Sequence, residues 1–370
     1  MTRPSHASGN DRLSGRIKSL ITAVLSVVLC AVVVLAAEIA VRVRATIKYG
    51  STATVEDLYT VDERIGLRVP IANLHIGRIN TNSLGFRGPE IAVPKPPGVI
   101  RLAFLGASTT WCDEVSGDDY VWPSIVAKKL GKIWPGRQVD FVNGGVPGYT
   151  MQSSLKNLEY RIAPLQPDVI VIYEATNDLS GELRDLAYAQ GLLKQPSFQP
   201  LAWPAKYSLL WELVEMNLRI LRAQRASEAK AQRLVLNPSK LGEPFRHQLT
   251  ALVRAAQNRA PVVAVAMFAT QLRRGQTPAH QRKASQSAMY YMPFMSPQGL
   301  IVAYERYNVI IREVAADTGA LLIDDPDSIP GTSEYFFDTV HFTDAGSRAM
   351  ADRVVKVLAG IPEADLTRPP

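Results

Sequence analysis

Beyond residue 99 the chain repeats one pattern, a short apolar run followed by a longer stretch with helical periodicity. The runs fall at residues 101–105 (RLAFL), 139–142 (VDFV), 168–173 (DVIVIY), 262–268 (VVAVAMF) and 320–323 (ALLI). Helical stretches fall at 121–133, 152–162, 246–258 and 300–318, and a last one closes the chain at 344–358. Strands covered by helices on both faces read as apolar runs of this kind. The pattern predicts an α/β fold, a doubly wound, flavodoxin-like three-layer sandwich around a five-stranded parallel sheet. Such sheets carry their sites outside the carboxyl ends of the strands. That rule singles out the residues just after each run.

A second constraint lies upstream. Residues 20–37 carry no charge and no polar face; Arg12, Arg16 and Lys18 precede them, and Glu38, Arg42 and Arg44 follow. A helix of that length rises about 27 Å, close to the roughly 30 Å of a bilayer's hydrocarbon core. The apolar part of a cleaved signal peptide is shorter, about 7–15 residues. The expectation is an uncleaved transmembrane signal anchor over residues 20–40. Basic residues flank both ends, so the positive-inside bias is weak. The orientation chosen, N-terminus inside and the rest outside, rests on the helix acting as an export signal. It makes this a single-pass protein of the inner or cytoplasmic membrane.

Hydrophobic residues make up 47% of the chain and charged residues 20%, which supports a sizeable core and excludes global disorder. The net charge of +7 raises nucleic-acid binding. Yet the basic residues are spread out and several flank the apolar run, a pattern that suits anionic lipid headgroups or an acidic polymer at least as well. No nucleic-acid partner is expected. Cys30 and Cys112 are expected on opposite sides of the membrane boundary, without a disulfide.

The organisation read from these signals is a tail (1–19), the anchor (20–40), a connector with short strands (41–98) and a main domain (99–361). Pro70, Gly77, Gly85, Gly88, Pro89, Pro94, Pro96 and Pro97 punctuate the connector. Residues 179–245 are too many for a simple crossover and predict a helical insertion. Within it Ser208 can cap a helix in which Leu209, Leu210, Leu213, Val214, Leu218 and Leu221 recur at helical spacing. Lys206, Arg219, Arg222, Arg225, Lys230 and Arg233 cluster there, as a solvated face or as a surface near lipid headgroups or an anionic polymer.

Four elements carry chemistry. Ser108 follows the first run in Gly106-Ala107-Ser108-Thr109-Thr110, at the mouth of the predicted site. By itself it reads more readily as a helix cap after a strand. A glycine-rich turn, Asn143 to Tyr149, follows the second run; its glycines permit close approach to a ligand. Asn177 follows the third run in Ala175-Thr176-Asn177-Asp178, placed to donate into the same crevice or to cap a helix. Near the C-terminus Asp338 stands three residues before His341, a spacing that lets the carboxylate hold one ring nitrogen while the other faces a hydroxyl. A neutral serine needs such a base. A metal site is the competing use of Asp and His, but no second His or Cys lies near His341, and no metal or cofactor is expected.

The order Ser, Gly, Asn, Asp-x-x-His resembles the SGNH/GDSL hydrolase superfamily over about residues 99–358, apart from the insertion. The stretch Asn82-Ser83-Leu84-Gly85-Phe86-Arg87-Gly88 resembles one that precedes this domain in anchored bacterial members. The resemblance implies Ser108 as nucleophile, His341 as base and Asp338 as its orienter. It also implies an oxyanion hole of the Ser108 N–H, the Gly148 N–H and the Asn177 side chain. Ala107 stands where the family often has Asp, and Ala175 where Gly is usual; a Cβ at 175 is expected to shift the turn carrying Asn177. The implied activity is hydrolysis of an ester, with O-acyl groups on a glycan or lipid as the expected substrate. An O-acyltransferase acting on an exported polysaccharide, and a non-catalytic glycan-binding protein, are the alternatives. The stretch at 289–295 (MYYMPFM) reads as pocket lining or core.

Overall fold

A computed structural model of the chain describes residues 9–49, 52, 55–134, 136–193, 203–229 and 233–366. It forms two compact units, Met1–Thr52 with Phe198–Arg219, and Ala53–Ser197 with Ile220–Pro370.

The larger unit is built on five parallel strands: β1 (Val99–Gly106), β2 (Gln138–Asn143), β3 (Val169–Tyr173), β4 (Val262–Ala266) and β5 (Leu321–Ile323). Their order is β2-β1-β3-β4-β5, with Gly106 beside Tyr173 at the carboxyl ends of β1 and β3. The order reverses between β1 and β3, so the crevice expected of a doubly wound sheet opens there. Helices Trp122–Ile133 and Asp344–Leu358 pack on one another. So do Met151–Asn157, Glu243–Gln257 and Pro297–Thr318, which makes the two outer layers. The predicted fold class and all five strands are found, each within three residues of its apolar run.

Leu102, Phe104, Ile170 and Ile172 are wholly buried, and Trp122 meets Phe104 edge-on with ring centroids 5.0 Å apart. Charge also enters this interior. Arg101, fully buried in β1, donates to both oxygens of Asp140 on β2 and to the carbonyls of Leu165 and Ala92. A buried guanidinium is tolerated when its donors are paired in this way.

The stretch ahead of the sheet is more than a spacer. Tyr59–Asp62 pairs with Leu67–Pro70, and His75–Ile76 with Ile79–Asn80. Residues 82–88 then fold onto the main domain. Asn82 Oδ1 accepts the N–H groups of Leu84 and Phe86, and the fully buried Arg87 runs in beneath the Ser108 turn. Helix Thr176–Ala189 and the short helices Pro278–Ala284 and Gln286–Tyr291 were not legible as helices in the sequence.

In the smaller unit the N-terminal helix runs from Gly9 to Tyr49, so it continues past residue 40. Among the described residues it contains the one stretch long and apolar enough to cross a membrane, Arg16–Ile47, and its large apolar side chains are exposed. Helix Leu209–Ala229 begins where the apolar spacing predicted, and Ser208 Oγ caps it by accepting the Trp211 N–H at 3.0 Å. Residues 1–8, and 194–202 and 230–232 of the insertion, lie outside the described residues.

Candidate active site

β1 ends at Gly106, and one residue later the chain enters a single helical turn, Ser108–Trp111. That turn is held from several sides. Asn143 Nδ2 donates to the Thr110 carbonyl at 3.0 Å, Trp122 Nε1 to the Thr109 carbonyl at 3.1 Å, and Arg87 to the carbonyls of Trp111 and Cys112 at 2.9 and 2.7 Å. The glycine-rich turn after β2 comes equally close. A Cβ on Gly145 would lie 2.6 Å from the Trp111 backbone nitrogen, so the turn requires a residue without one. Gly145→Ala is expected to destabilise the fold by about 1–3 kcal/mol. Gly181→Ala, in a helix interior with open space around the new Cβ, should be neutral or gain up to about 1 kcal/mol. Thermal unfolding of the two variants checks the contrast.

Ser108 Oγ lies 2.8 Å from His341 Nε2, and His341 Nδ1 lies 2.9 Å from Asp338 Oδ2. Asp338 Oδ1 accepts the N–H groups of Val340 and His341, both at 2.9 Å, so the three-residue spacing closes a tight turn around the carboxylate. These groups open on a cleft of about 650 Å³ that Gly148 and Asn177 also line. Gly148 has a φ of +86°, a conformation that favours glycine. Among the described residues neither the Ser108 N–H nor the Gly148 N–H has a protein acceptor. Asn177 Nδ2 donates one proton to the Tyr149 carbonyl at 2.7 Å, which ties it to the Gly148 turn and leaves its second proton for the cleft. All five residues singled out in the sequence therefore border one cavity.

Ala175 stands immediately before helix Thr176–Ala189. Its φ of −165° lies outside the left-handed region that favours glycine, its side chain is fully buried, and Asn177 Nδ2 bonds the Tyr149 carbonyl beside it. The 289–295 stretch divides: Tyr291 and Met292 line the cleft, while Phe294 and Met295 are buried in the core.

The sequence did not single out Asp113 and Glu114. Glu114 Oε1 lies 3.8 Å from His341 Nδ1, and its Oε2 is buried without a partner among the described residues. Burial pushes Glu114 up to about 7, against the attraction of His341 and with added repulsion from Asp113 and Asp338. Burial also raises Asp113, against the pull of Arg87. For His341 burial acts downward, but Glu114, Asp338 and Asp113 outweigh it and hold the imidazole up at about 9. Asp338 is pushed up by burial, yet bonds from His341 and the turn's N–H groups bring it below the usual carboxylate range. The signal for the pair was two consecutive carboxylates five and six residues after Ser108.

A second acidic pair lies beside Asn177, at and just ahead of the start of its helix. Asp178 accepts the Met151 N–H at 3.2 and 3.3 Å, and Glu174 accepts from Ser154 Oγ at 2.6 Å. Burial raises both carboxyls, Asp178 to about 7, and Asp178 repels Glu174 further upward.

A model of the GDSL-like lipase/acylhydrolase family matches residues 104–349, a stretch that begins in β1 and ends in the last long helix. The chain belongs to this family. As a GDSL-like acylhydrolase it is an ester hydrolase with an SGNH-type fold. Solved structures similar to this GDSL-like chain include a lipase/acylhydrolase from Enterococcus faecalis. It is 17% identical, with 71% of this chain and 96% of that chain covered and a TM-score of 0.42. Another is the acetylxylan esterase Axe2 from Geobacillus stearothermophilus, 14% identical, with coverages of 72% and 96% and a TM-score of 0.43. No curated protein matches the chain.

Proposed function

We propose that the chain is a serine esterase in which Ser108, His341 and Asp338 form the catalytic triad. The observation that carries this reading is the unbroken hydrogen-bonded series from Asp338 through His341 to Ser108 at the edge of the cleft. His341 Nε2 takes the Ser108 proton as Oγ attacks the ester carbonyl. The oxyanion rests on the N–H groups of Ser108 and Gly148 and on Asn177 Nδ2. Collapse of the tetrahedral intermediate expels the alcohol with the proton from His341. Water, deprotonated by His341, then clears the acyl-enzyme. The substrate we assign is an O-acyl group on a glycan or lipid. The hydroxyl-bearing lining of the cleft (Ser180, Ser287, Tyr291) and the cation Arg184 support a polar alcohol part. We read the N-terminal helix as a retained anchor, with the catalytic unit on the outer or periplasmic side; its apolar length and charged flanks support this.

The test is labelling of the purified full chain by a fluorophosphonate probe. Labelling is expected in the wild type, absent in Ser108→Ala and strongly reduced in His341→Ala. Asn177→Ala should keep the label but lose about 100- to 1,000-fold in kcat. A folded wild type that takes no label would sink the triad and favour a glycan-binding protein. Acyl release accelerated by an added sugar alcohol would mark an acyltransferase instead.

The pH profile gives a separate check. A base held at about 9 is mostly protonated at neutral pH, so kcat/KM should rise with pH through that value. Glu114 holds the imidazolium charged. Glu114→Gln should therefore move the rising limb to lower pH, with about 10-fold more activity at pH 7 for each unit of displacement. An unmoved or alkaline-shifted limb would contradict the assignment of Glu114.

A further inference from the structure

Away from the cleft, helix Leu209–Ala229 has an unusual surface. Glu212, Glu215 and Arg219 fall at intervals of three and four and so share one stripe, with apolar residues filling most of the rest between Leu209 and Leu221. Glu212 and Glu215 are half-buried, whereas Trp211, Leu213, Val214, Leu218 and Leu221 are all at least 40% exposed. Trp203 and Tyr207, just ahead of the helix, are 75% and 74% exposed, with ring centroids 6.5 Å apart. An exposed, mainly apolar helix face of this kind marks an interaction site.

The N-terminal helix indicates what covers it. Glu38 is the first charge after the uncharged stretch. Its carboxylate accepts the N–H groups of Leu209 and Leu210 at 3.2 and 3.0 Å, the Ser208 hydroxyl at 2.8 Å and Arg42 Nε at 2.6 Å. Arg42 also donates to the Tyr207 carbonyl at 3.0 Å. The start of the second helix is thus fixed at the level where the apolar stretch ends, which is the hydrocarbon boundary if that stretch spans. Trp and Tyr concentrate at that level in membrane proteins. A helix with a charged stripe and an apolar remainder is suited to lie in the interface plane.

We propose that residues 203–219 lie in the lipid–water interface of the bilayer that the N-terminal helix crosses, docked to that helix through Glu38 and Arg42. The proposal rests on the anchor reading and adds a second membrane contact to it. Charged groups on the stripe stay among the headgroups, while Trp203, Tyr207, Trp211 and Leu218 enter the acyl boundary.

The test uses the full chain in vesicles of phosphatidylcholine and phosphatidylglycerol. Tryptophan fluorescence is quenched by lipids brominated either near the headgroup end or near the methyl end of the acyl chain. Trp111, Trp122 and Trp134 are buried and give the background. Shallow bromine should quench the wild type, and the effect should disappear in Trp203→Phe/Trp211→Phe. Val27→Trp in that double variant reports on the anchor and should respond most to deep bromine. Quenching at Val27→Trp with none attributable to Trp203 and Trp211 would overturn the interfacial helix and leave the anchor standing. No quenching at any of the three positions would overturn both. Protection of Trp203 and Trp211 from both lipid bromine and aqueous acrylamide would mean that protein covers the face, which also overturns the proposal.

Discussion

His341→Ala is expected to lower kcat/KM for an activated aryl ester by about 10⁴- to 10⁶-fold, and Ser108→Ala/His341→Ala to lower it no further. The reason is the shared proton. In the proposed triad, with Nε2 only 2.8 Å from Oγ, the serine is a nucleophile only while the imidazole can accept its proton, so removing either group removes one function. Losses that multiplied in the double variant would show that the two residues act separately. Asp338 should be less critical. Its Oδ1 is occupied by two N–H groups and only Oδ2 holds the imidazole, while the Glu114 carboxylate stands 3.8 Å from the same Nδ1. In Asp338→Ala, Glu114 can accept in its place. The smaller loss in that variant should deepen when Glu114→Gln is added, and steady-state kinetics of the four proteins separates these cases.

What the sequence made legible follows from the range of each physical signal. The five strands were readable because strands buried on both faces must be apolar throughout, whatever lies beside them. Ser108, Gly148, Asn177, Asp338 and His341 were readable because each stands just after a strand or in the last turn before a helix. Helix Thr176–Ala189 was not, since Asn177, Asp178, Ser180 and Gly181 resemble a loop when read locally. Glu114 was missed for another reason. Its contact with His341 spans more than two hundred residues, and its perturbation comes from burial that no local pattern announces. Ala175 shows the converse. The position looked intolerant of a side chain, but whether glycine is required depends on φ, and φ there lies outside the left-handed region that favours glycine. The role of Arg87 depends in the same way on distant partners.

Arg87→Leu is expected to destabilise the folded chain by about 3–5 kcal/mol, the range for removing one partner of a buried charge pair. The side chain is fully buried, and Nε donates to Asp118 Oδ1 at 2.7 Å while Nη1 and Nη2 reach the carbonyls of Trp111, Cys112 and Arg78. Leucine fills part of the volume but leaves those carbonyls unpaired, and Asp118 is one-fifth exposed, so part of its cost is relieved by water. The loss should appear as a lower urea midpoint with an unchanged slope. Function gives the second readout. Two of the carbonyls cap the turn that begins at Ser108, so the guanidinium fixes the end of the turn opposite Ser108. Arg87→Lys keeps the charge but cannot span four acceptors in a planar fork. It should stay folded and still label more slowly with the fluorophosphonate probe. Labelling at the wild-type rate in Arg87→Lys would confine the residue to stability and free the Ser108 turn from any dependence on the segment ahead of the sheet.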